Sequence, residues 1–449
     1  MEDHKFTALS KRNIAFMFSL IFLFECTFAF GYEWSQYKKY GGYPYAIYPL
    51  ARGASYITPP DDRTPCQDCC AYNFMASSLL EKHGFYNPSG QASAWYTPGY
   101  PIVLAILYGI FGYAFLPVLI FNALCLTLAY YFLFRLAWRL FDFGCALMCL
   151  VLLVCNLRAG YHIAYVLTDS LFFLFCAGTL YLTYLIWIGE RRGWSTFAAL
   201  GAAFGYGSLV RPVMLPLILL LAVILLVRGV GWRKVLTCVA CAGLVFGLWV
   251  GRNYHVFGRF VISTSSDYWL VEEDRDAYRT LSFWEPYKLI TYTIPPRDRF
   301  GEKAISRGEN DLLFMESTSY LFREDYSDWC RRNFRFYLWI CAWRLKALLS
   351  PFTAVMSFRN KVFSTALWAV TMVPGLAAGL FLYKRGFYWV MILTASGLLA
   401  LPVLWTVDTQ LRYQIPAQLI LTVPAAWLLQ QSWRLGKAHP PGPAQHVPS

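Results

Sequence analysis

Charge is what this chain has least of. Of its 449 residues only 14% are Asp, Glu, Lys or Arg, while 57% are hydrophobic. Ordinary soluble domains carry about 25% charged residues, so a conventional soluble protein is excluded. The strict apolar–polar alternation of transmembrane β-barrels, in segments of about 10 residues, is missing too. No Gly-x-Ser-x-Gly elbow, Walker loop or His-Glu-x-x-His pair occurs, which leaves serine hydrolase, ATPase and zinc protease readings without motif support. What is present is a succession of long apolar runs, each close to the roughly 20 residues that a helix needs to cross a bilayer. The sequence predicts an all-α polytopic membrane protein.

The formal net charge is +13. No compact basic domain carries it, so nucleic acid is set aside as a partner. Lys and Arg collect in cytoplasmic turns, and the remainder can attract anionic lipid heads or lipid phosphates. Most of the thirteen cysteines lie inside apolar runs, where Cys behaves as a small hydrophobe. Cys66, Cys69, Cys70 and Cys330 do not. Cys66-x-x-Cys69-Cys70 has half the spacing of a zinc site with no second pair to complete it. A disulfide is favoured over free thiols or a metal.

Lys5, Lys11 and Arg12 precede the first apolar run, 13–32, which is longer than a signal-peptide core. It reads as an uncleaved helix entering from the cytoplasm. Glu25 within it is expected to face other helices, since a carboxylate is costly against lipid. Further crossings are predicted at 116–140, 144–157, 168–188, 197–210, 215–227, 235–251, 362–383, 388–407 and 413–430, with a short helix dipping at 98–112. Each predicted cytoplasmic turn carries at least two Lys or Arg. The result is about ten crossings, enough for a polytopic bundle with both ends inside. Residues 1–251 form an N-terminal membrane module with an outer loop at 33–97. Residues 252–360, rich in mixed charge, are expected to be an extracytoplasmic mixed subdomain ending in an interfacial helix. Residues 361–431 supply the last crossings, and 432–449 a disordered tail. Two unequal loops on one face, without a halved repeat, favour an enzyme over a transporter.

Charged residues recur at the outer helix ends, where the positive-inside bias should remove them: Asp169, Arg211, Arg252, Asp408 and Arg412. Snorkelling explains any one arginine as well as function does. Three on one face would make a phosphate site, because the guanidinium fork matches phosphate oxygens. Asp68, in the outer loop, and Asp169 are candidate catalytic acids or bases, although a carboxylate opening a helix is also a plain dipole partner. Asp61 and Asp62, after two prolines, read as a solvated turn. Tyr72, Trp95, Tyr96, Tyr100 and His162 are candidate substrate-lining residues. The aromatics serve equally as interfacial belt residues, and an isolated His more often only hydrogen-bonds.

The stretch Asp68-Cys-Cys-Ala-Tyr72-Asn-Phe-Met-Ala76, with Leu79, Gly84, Tyr96-Thr-Pro98-Gly-Tyr-Pro101 and Phe111-Gly112, resembles the first-loop signature of GT-C glycosyltransferases. The likeness is to the protein-O-mannosyltransferase-like branch. It continues in order through Val166-Leu-Thr168-Asp169-Ser-Leu171, Leu209-Val-Arg211-Pro212, Arg252-Asn253-Tyr254-His-Val-Phe257-Gly258 and Leu411-Arg412-Tyr413. The resemblance implies a GT-C-type helical bundle that transfers a sugar with inversion from a polyprenyl-phosphate donor on the outer membrane face. The implied acceptor is a lipid, glycan or protein, and the implied setting a bacterial inner membrane. Asp68 takes the family's position of first-loop base and Asp169 that of the second acid. Arg211, Arg252 and Arg412 are candidates for the donor phosphate. No cofactor is certain; a divalent cation is left open, as some relatives use one. The cysteine cluster is no part of the family pattern. The rival readings are a lipid-linked oligosaccharide flippase or other transporter, and a polysaccharide ligase or polymerase.

Overall fold

In hydrocarbon a backbone must satisfy its own polar groups, so apolar runs of this length fold as helices. The computed structural model describes residues 11–40, 67–86, 90, 92–264, 331–332, 334–352, 358–384, 386–405 and 411–438. The expectations for Asp61, Asp62, Cys66, Asp408, the mixed subdomain across 265–330 and the tail beyond 438 lie outside these residues. Helices α1 (Lys11–Tyr40), α2 (Gln67–Lys82), α3 (Gly99–Phe111), α4 (Phe115–Leu140), α5 (Phe143–Val154) and α6 (Leu157–Tyr161) open the chain. They are followed by α7 (Asp169–Trp187), α8 (Trp194–Val210), α9 (Met214–Val227) and α10 (Trp232–Phe257). The rest comprises α11 (Phe334–Leu349), α12 (Phe358–Ala377), α13 (Gly379–Leu382), α14 (Gly386–Trp405) and α15 (Ile415–Ala438). All ten predicted crossings coincide with helices. Six helices are long and apolar enough to cross a membrane, or seven when the bent pair Phe143–Val154 and Leu157–Ala164 is taken as one span. The chain is an all-α, multi-pass membrane protein.

Several boundaries differ from the sequence expectation, each for a local reason. The crossing predicted at 144–157 breaks after Val154 and bends by 48° into α6 and a 3-10 turn, His162–Ala164. Asn122 of α4 holds that turn, donating to the carbonyls of Ile163 and Tyr165 at 3.3 and 3.0 Å. Helix α10 continues past 251 to Phe257 and stops at Gly258, whose φ of 67° gives the left-handed cap that favours glycine. The outer loop is partly helical, because α1 extends to Tyr40 and α2 lies within the predicted loop. Helix α15 extends to Ala438, so the first residues assigned to the tail are helical. The helix predicted before 351 is present as α11, which buries Arg344 and Leu348 on one face and exposes Phe334, Leu338 and Leu345.

Two contacts set the position of the outer segment. Gly99 lies on the backbone of α8, where an added Cβ would sit 2.6 Å from the Leu209 carbonyl carbon. Tyr206 of α8 donates to the Gly99 carbonyl at 2.9 Å. The segment after α10 folds back along 93–95: the Thr264 amide donates to the Ala94 carbonyl at 2.9 Å and Ser263 Oγ to that of Trp95 at 2.6 Å. Glu25 is buried, facing α6 at Gly160 as expected. Cys69 is disulfide-bonded, in keeping with the disulfide reading of its cluster.

Candidate active site

Asp68 occupies the first turn of α2, where a carboxylate is favoured by the helix dipole. Its Oδ2 accepts from Arg412 Nη2 at 2.6 Å and its Oδ1 from the Tyr96 hydroxyl at 2.7 Å. Arg412 comes from the 3-10 turn Leu411–Gln414 that precedes α15. Burial pushes the Asp68 carboxyl up, but the Arg412 charge and hydrogen bond, the Tyr96 hydroxyl and the Arg211 charge hold it below its ordinary value. Asp68 is therefore an ionised carboxylate at neutral pH.

Asp169, fully buried, is the first residue of α7. Arg211, just past the end of α8, places Nη2 2.8 Å from Asp169 Oδ1 and donates through Nε to Thr168 Oγ1 at 2.9 Å. A plain helix cap is not the role of this acid; its partner is a guanidinium. The Arg211 guanidinium lies over the rings of Phe172 and Tyr413, at 5.2 and 5.5 Å. Arg412 lies 5.5 Å from that same Tyr413 ring. Tyr413 thus joins two acid–arginine pairs into one site, with both arginines about its ring. Cation–π contacts of this kind are worth about 0.5–2 kcal/mol each.

Of the predicted site residues, Asp68, Asp169, Arg211, Arg412, Tyr96 and His162 come together. His162 sits in the 3-10 turn with Nδ1 4.0 Å from Asp169 Oδ2. Tyr72 packs against Tyr96 and Tyr100, with ring centroids 4.8 and 5.7 Å away. Burial raises its phenol, which keeps it protonated despite the nearby arginines. Tyr100 is fully buried and donates to Asn122 Oδ1 at 3.3 Å, so it supports the site from behind. Trp95 meets Tyr96 edge-on.

Arg252 has a different place. Its guanidinium donates to the carbonyls of Ser93 and Phe85, at 2.8 and 3.0 Å, and to Asn253 Oδ1, and it lies over the Trp249 ring. It fastens the loop between α2 and α3 to α10. Thr168 and Tyr413 had no assigned role in the sequence, although each adjoins a residue that did.

The site lies at one end of the bundle. Helix α7 spans about 28 Å at 1.5 Å per residue, and beyond its far end Arg139 pairs with Glu190 at 2.6 Å. There too Lys234 donates to the Arg192 carbonyl, and Arg228 covers the Trp187 ring. The basic turns and the acid–arginine site therefore occupy opposite ends. For a divalent cation the fit is poor: Asp68 and Asp169 each face an arginine, and among the described residues no group of three His, Cys, Asp or Glu side chains is placed to hold a metal.

Residues 96–251 match the family model described as dolichyl-phosphate-mannose-protein mannosyltransferase. The match bears out the GT-C resemblance over a stretch that includes Tyr96, His162, Asp169 and Arg211. No curated protein matches the chain. Among solved structures it is similar to the archaeal oligosaccharyltransferase AglB from Archaeoglobus fulgidus, in complex with an inhibitory peptide and a dolichol-phosphate, at 14% identity and a TM-score of 0.44. That likeness covers 83% of this chain, which spans about half, 48%, of the AglB chain. It is also similar to ArnT from Cupriavidus metallidurans bound to undecaprenyl phosphate, at 15% identity and a TM-score of 0.39, covering 83% of this chain and 75% of that one.

Proposed function

We propose that the protein is an inverting glycosyltransferase that moves a sugar from a polyprenyl-phosphate donor to a hydroxyl of a lipid, glycan or protein acceptor on the outer face of the membrane. The observation that carries this reading is the pairing of Asp68 with Arg412 and Asp169 with Arg211 around one tyrosine ring. Transfer from such a donor needs a base for the acceptor hydroxyl and positive charge for the departing phosphate. The acceptor oxygen attacks the anomeric carbon as the bond to the phosphate oxygen breaks. That bond's electron pair leaves on the phosphate, and the hydroxyl proton passes to Asp68. A single displacement of this kind inverts the anomeric centre. General-base help is worth about 10²–10⁴-fold. Arg412 and Arg211 meet the charge growing on the leaving phosphate, the preorganised electrostatic stabilisation that enzymes rely on most. Asp169 orients Arg211.

A transporter would set its essential charges near the bilayer midplane. Asp68, on α2, and Arg412, in the turn before α15, lie outside the candidate spans, which favours an enzyme. The deciding experiment uses the full chain in lipid nanodiscs with a panel of polyprenyl-phosphate-linked hexoses and pentoses. The expected result is release of polyprenyl phosphate from at least one donor, lost in Asp68→Asn and in Arg412→Gln while both variants insert and fold. Equal release by Asp68→Asn would remove that residue from the chemistry, and passage of an intact lipid-linked sugar between leaflets would favour a flippase.

A further inference from the structure

The mechanism above leaves one buried pair of polar atoms without work. Asp169 gives Oδ1 to Arg211, and Thr168 takes the Nε of the same guanidinium. Both carboxylate oxygens are buried and neither makes a hydrogen bond; Oδ1 has the Arg211 ion pair, which leaves Oδ2. Facing it at 4.0 Å is His162 Nδ1, buried and likewise without a partner. The imidazole is held from behind, edge-on to the Tyr161 ring at 5.8 Å and 81°. The bend between α5 and the 3-10 turn carries His162 to this place, and Asn122 fixes the turn through two carbonyls.

A separation of 4.0 Å is too long for a hydrogen bond but suits a bridge, since one oxygen atom can lie about 2.8 Å from each end. Buried polar groups are rarely left unsatisfied, so two of them facing one another call for a shared partner. Its chemistry is restricted. The Asp169 carboxylate disfavours a phosphate, and Arg211 and Arg412, whose charges reach His162, disfavour an ammonium. A neutral hydroxyl fits: it donates to the carboxylate oxygen and accepts from an Nδ1–H tautomer of the imidazole.

We propose that His162 Nδ1 and Asp169 Oδ2 form a hydroxyl-binding subsite, which grips either a ring hydroxyl of the donor sugar or the hydroxyl of the acceptor. The subsite deepens the glycosyltransferase reading and rests on it. His162 is then a binding residue, and its loss acts on substrate affinity and not on polyprenyl phosphate itself.

The test uses the nanodisc-embedded full chain with His162→Phe, which keeps a ring, and His162→Asn, which keeps a polar atom near the Nδ1 position. The probes are polyprenyl-phosphate mannose, its monodeoxy analogues, the other donors of the panel, and polyprenyl phosphate alone. If the donor is gripped, His162→Phe raises donor KM about tenfold, the worth of one lost hydrogen bond to a charged pair. Binding of polyprenyl phosphate stays unchanged, and His162→Asn recovers most of the loss. One deoxy analogue then shows the same penalty in the wild type and none further in His162→Phe. If the acceptor is gripped, donor KM holds while transfer to acceptor falls relative to hydrolysis of the donor by water. Wild-type turnover with both ratios unmoved in His162→Phe overturns the subsite and leaves only a bridging water, with glycosyl transfer intact. A wild type that neither binds polyprenyl phosphate nor turns over any donor overturns the glycosyltransferase reading and the subsite with it.

Discussion

Arg412 is claimed twice at the residue scale. In the structure it neutralises Asp68 at 2.6 Å, and in the proposed reaction it must meet the donor phosphate. A phosphate arriving at Arg412 therefore competes with the carboxylate. Asp68→Asn should abolish transfer and yet bind polyprenyl phosphate several-fold more tightly, because the guanidinium no longer has an anionic partner, a gain of about 1 kcal/mol. Titration of the lipid phosphate into nanodiscs reads this directly; weaker binding by the variant would show that Arg412 is not a phosphate ligand. The same competition gives a pH dependence. The Asp68 carboxyl is held below its ordinary value, so the pair contributes stability above the unfolded carboxylate range, about pH 4, and loses it as pH falls through the folded value. With donor bound and Arg412 drawn to phosphate, the carboxyl moves back up. The acid limb of kcat, which reports the bound enzyme, should lie at higher pH than that of kcat/KM, which reports the free enzyme. Coincident limbs in a rate profile would mean that Arg412 never leaves Asp68. None of this competition was legible in the sequence, where Asp68 and Arg412 stand 344 residues apart. The acids and the outer arginines were legible, because a charge at the outer end of an apolar run demands a reason. Arg252 answered the same demand in another way: besides Asn253 it reaches two backbone carbonyls, which no side-chain pattern announces.

At the scale of the element, the apolar runs were read with ease, since bilayer thickness fixes their length and hydrocarbon fixes their conformation. What escaped were features set by packing. The break after Val154 has no Pro or Gly to mark it, and α10 runs on to Phe257 because its stop is the glycine at 258 and not the end of the apolar run. Two elements carry predictions. Gly99→Ala would drive a methyl into the α8 backbone at Leu209 and Val210, lifting α3 and with it Tyr96 away from the site. A loss on the order of 1–3 kcal/mol is expected for such overpacking, measured as a lower thermal midpoint together with weakened transfer; an unchanged midpoint would mean that α3 is not pinned there. At the other end Asp142 caps α5 through the Cys145 amide at 2.8 Å and receives Gln430 and Arg434 of α15. Asp142→Ala removes both cap and tie. It should lower stability by about 0.5–2 kcal/mol, the usual worth of an N-cap, with substrate affinities unchanged, since the site lies a helix length away.

At the scale of the whole molecule, the two ends of the bundle differ in charge, and the positive-inside rule turns that difference into an expected sidedness. Arg139, Arg192, Arg228 and Lys234 gather beyond the far end of α7, while Asp68, Asp169, Arg211 and Arg412 gather at its start. The positive-inside rule predicts the first group in the cytoplasm and the acid–arginine site on the outer face. A polyprenyl-phosphate sugar would then reach it from the outer leaflet, with its phosphate at headgroup level and its chain in lipid. Side-specific labelling tests this without any knowledge of the substrate. Lys82, exposed at the end of α2, and Arg192 and Arg233, exposed at the basic turns, are replaced by cysteine one at a time, and labelling is scored as the gain over the parent chain. A membrane-impermeant thiol reagent applied to intact cells should modify Lys82→Cys and leave the other two untouched until the membrane is opened. The reverse pattern would put Asp68 in the cytoplasm, where the soluble nucleotide sugars of that compartment, and not lipid-linked ones, would be the donors within its reach.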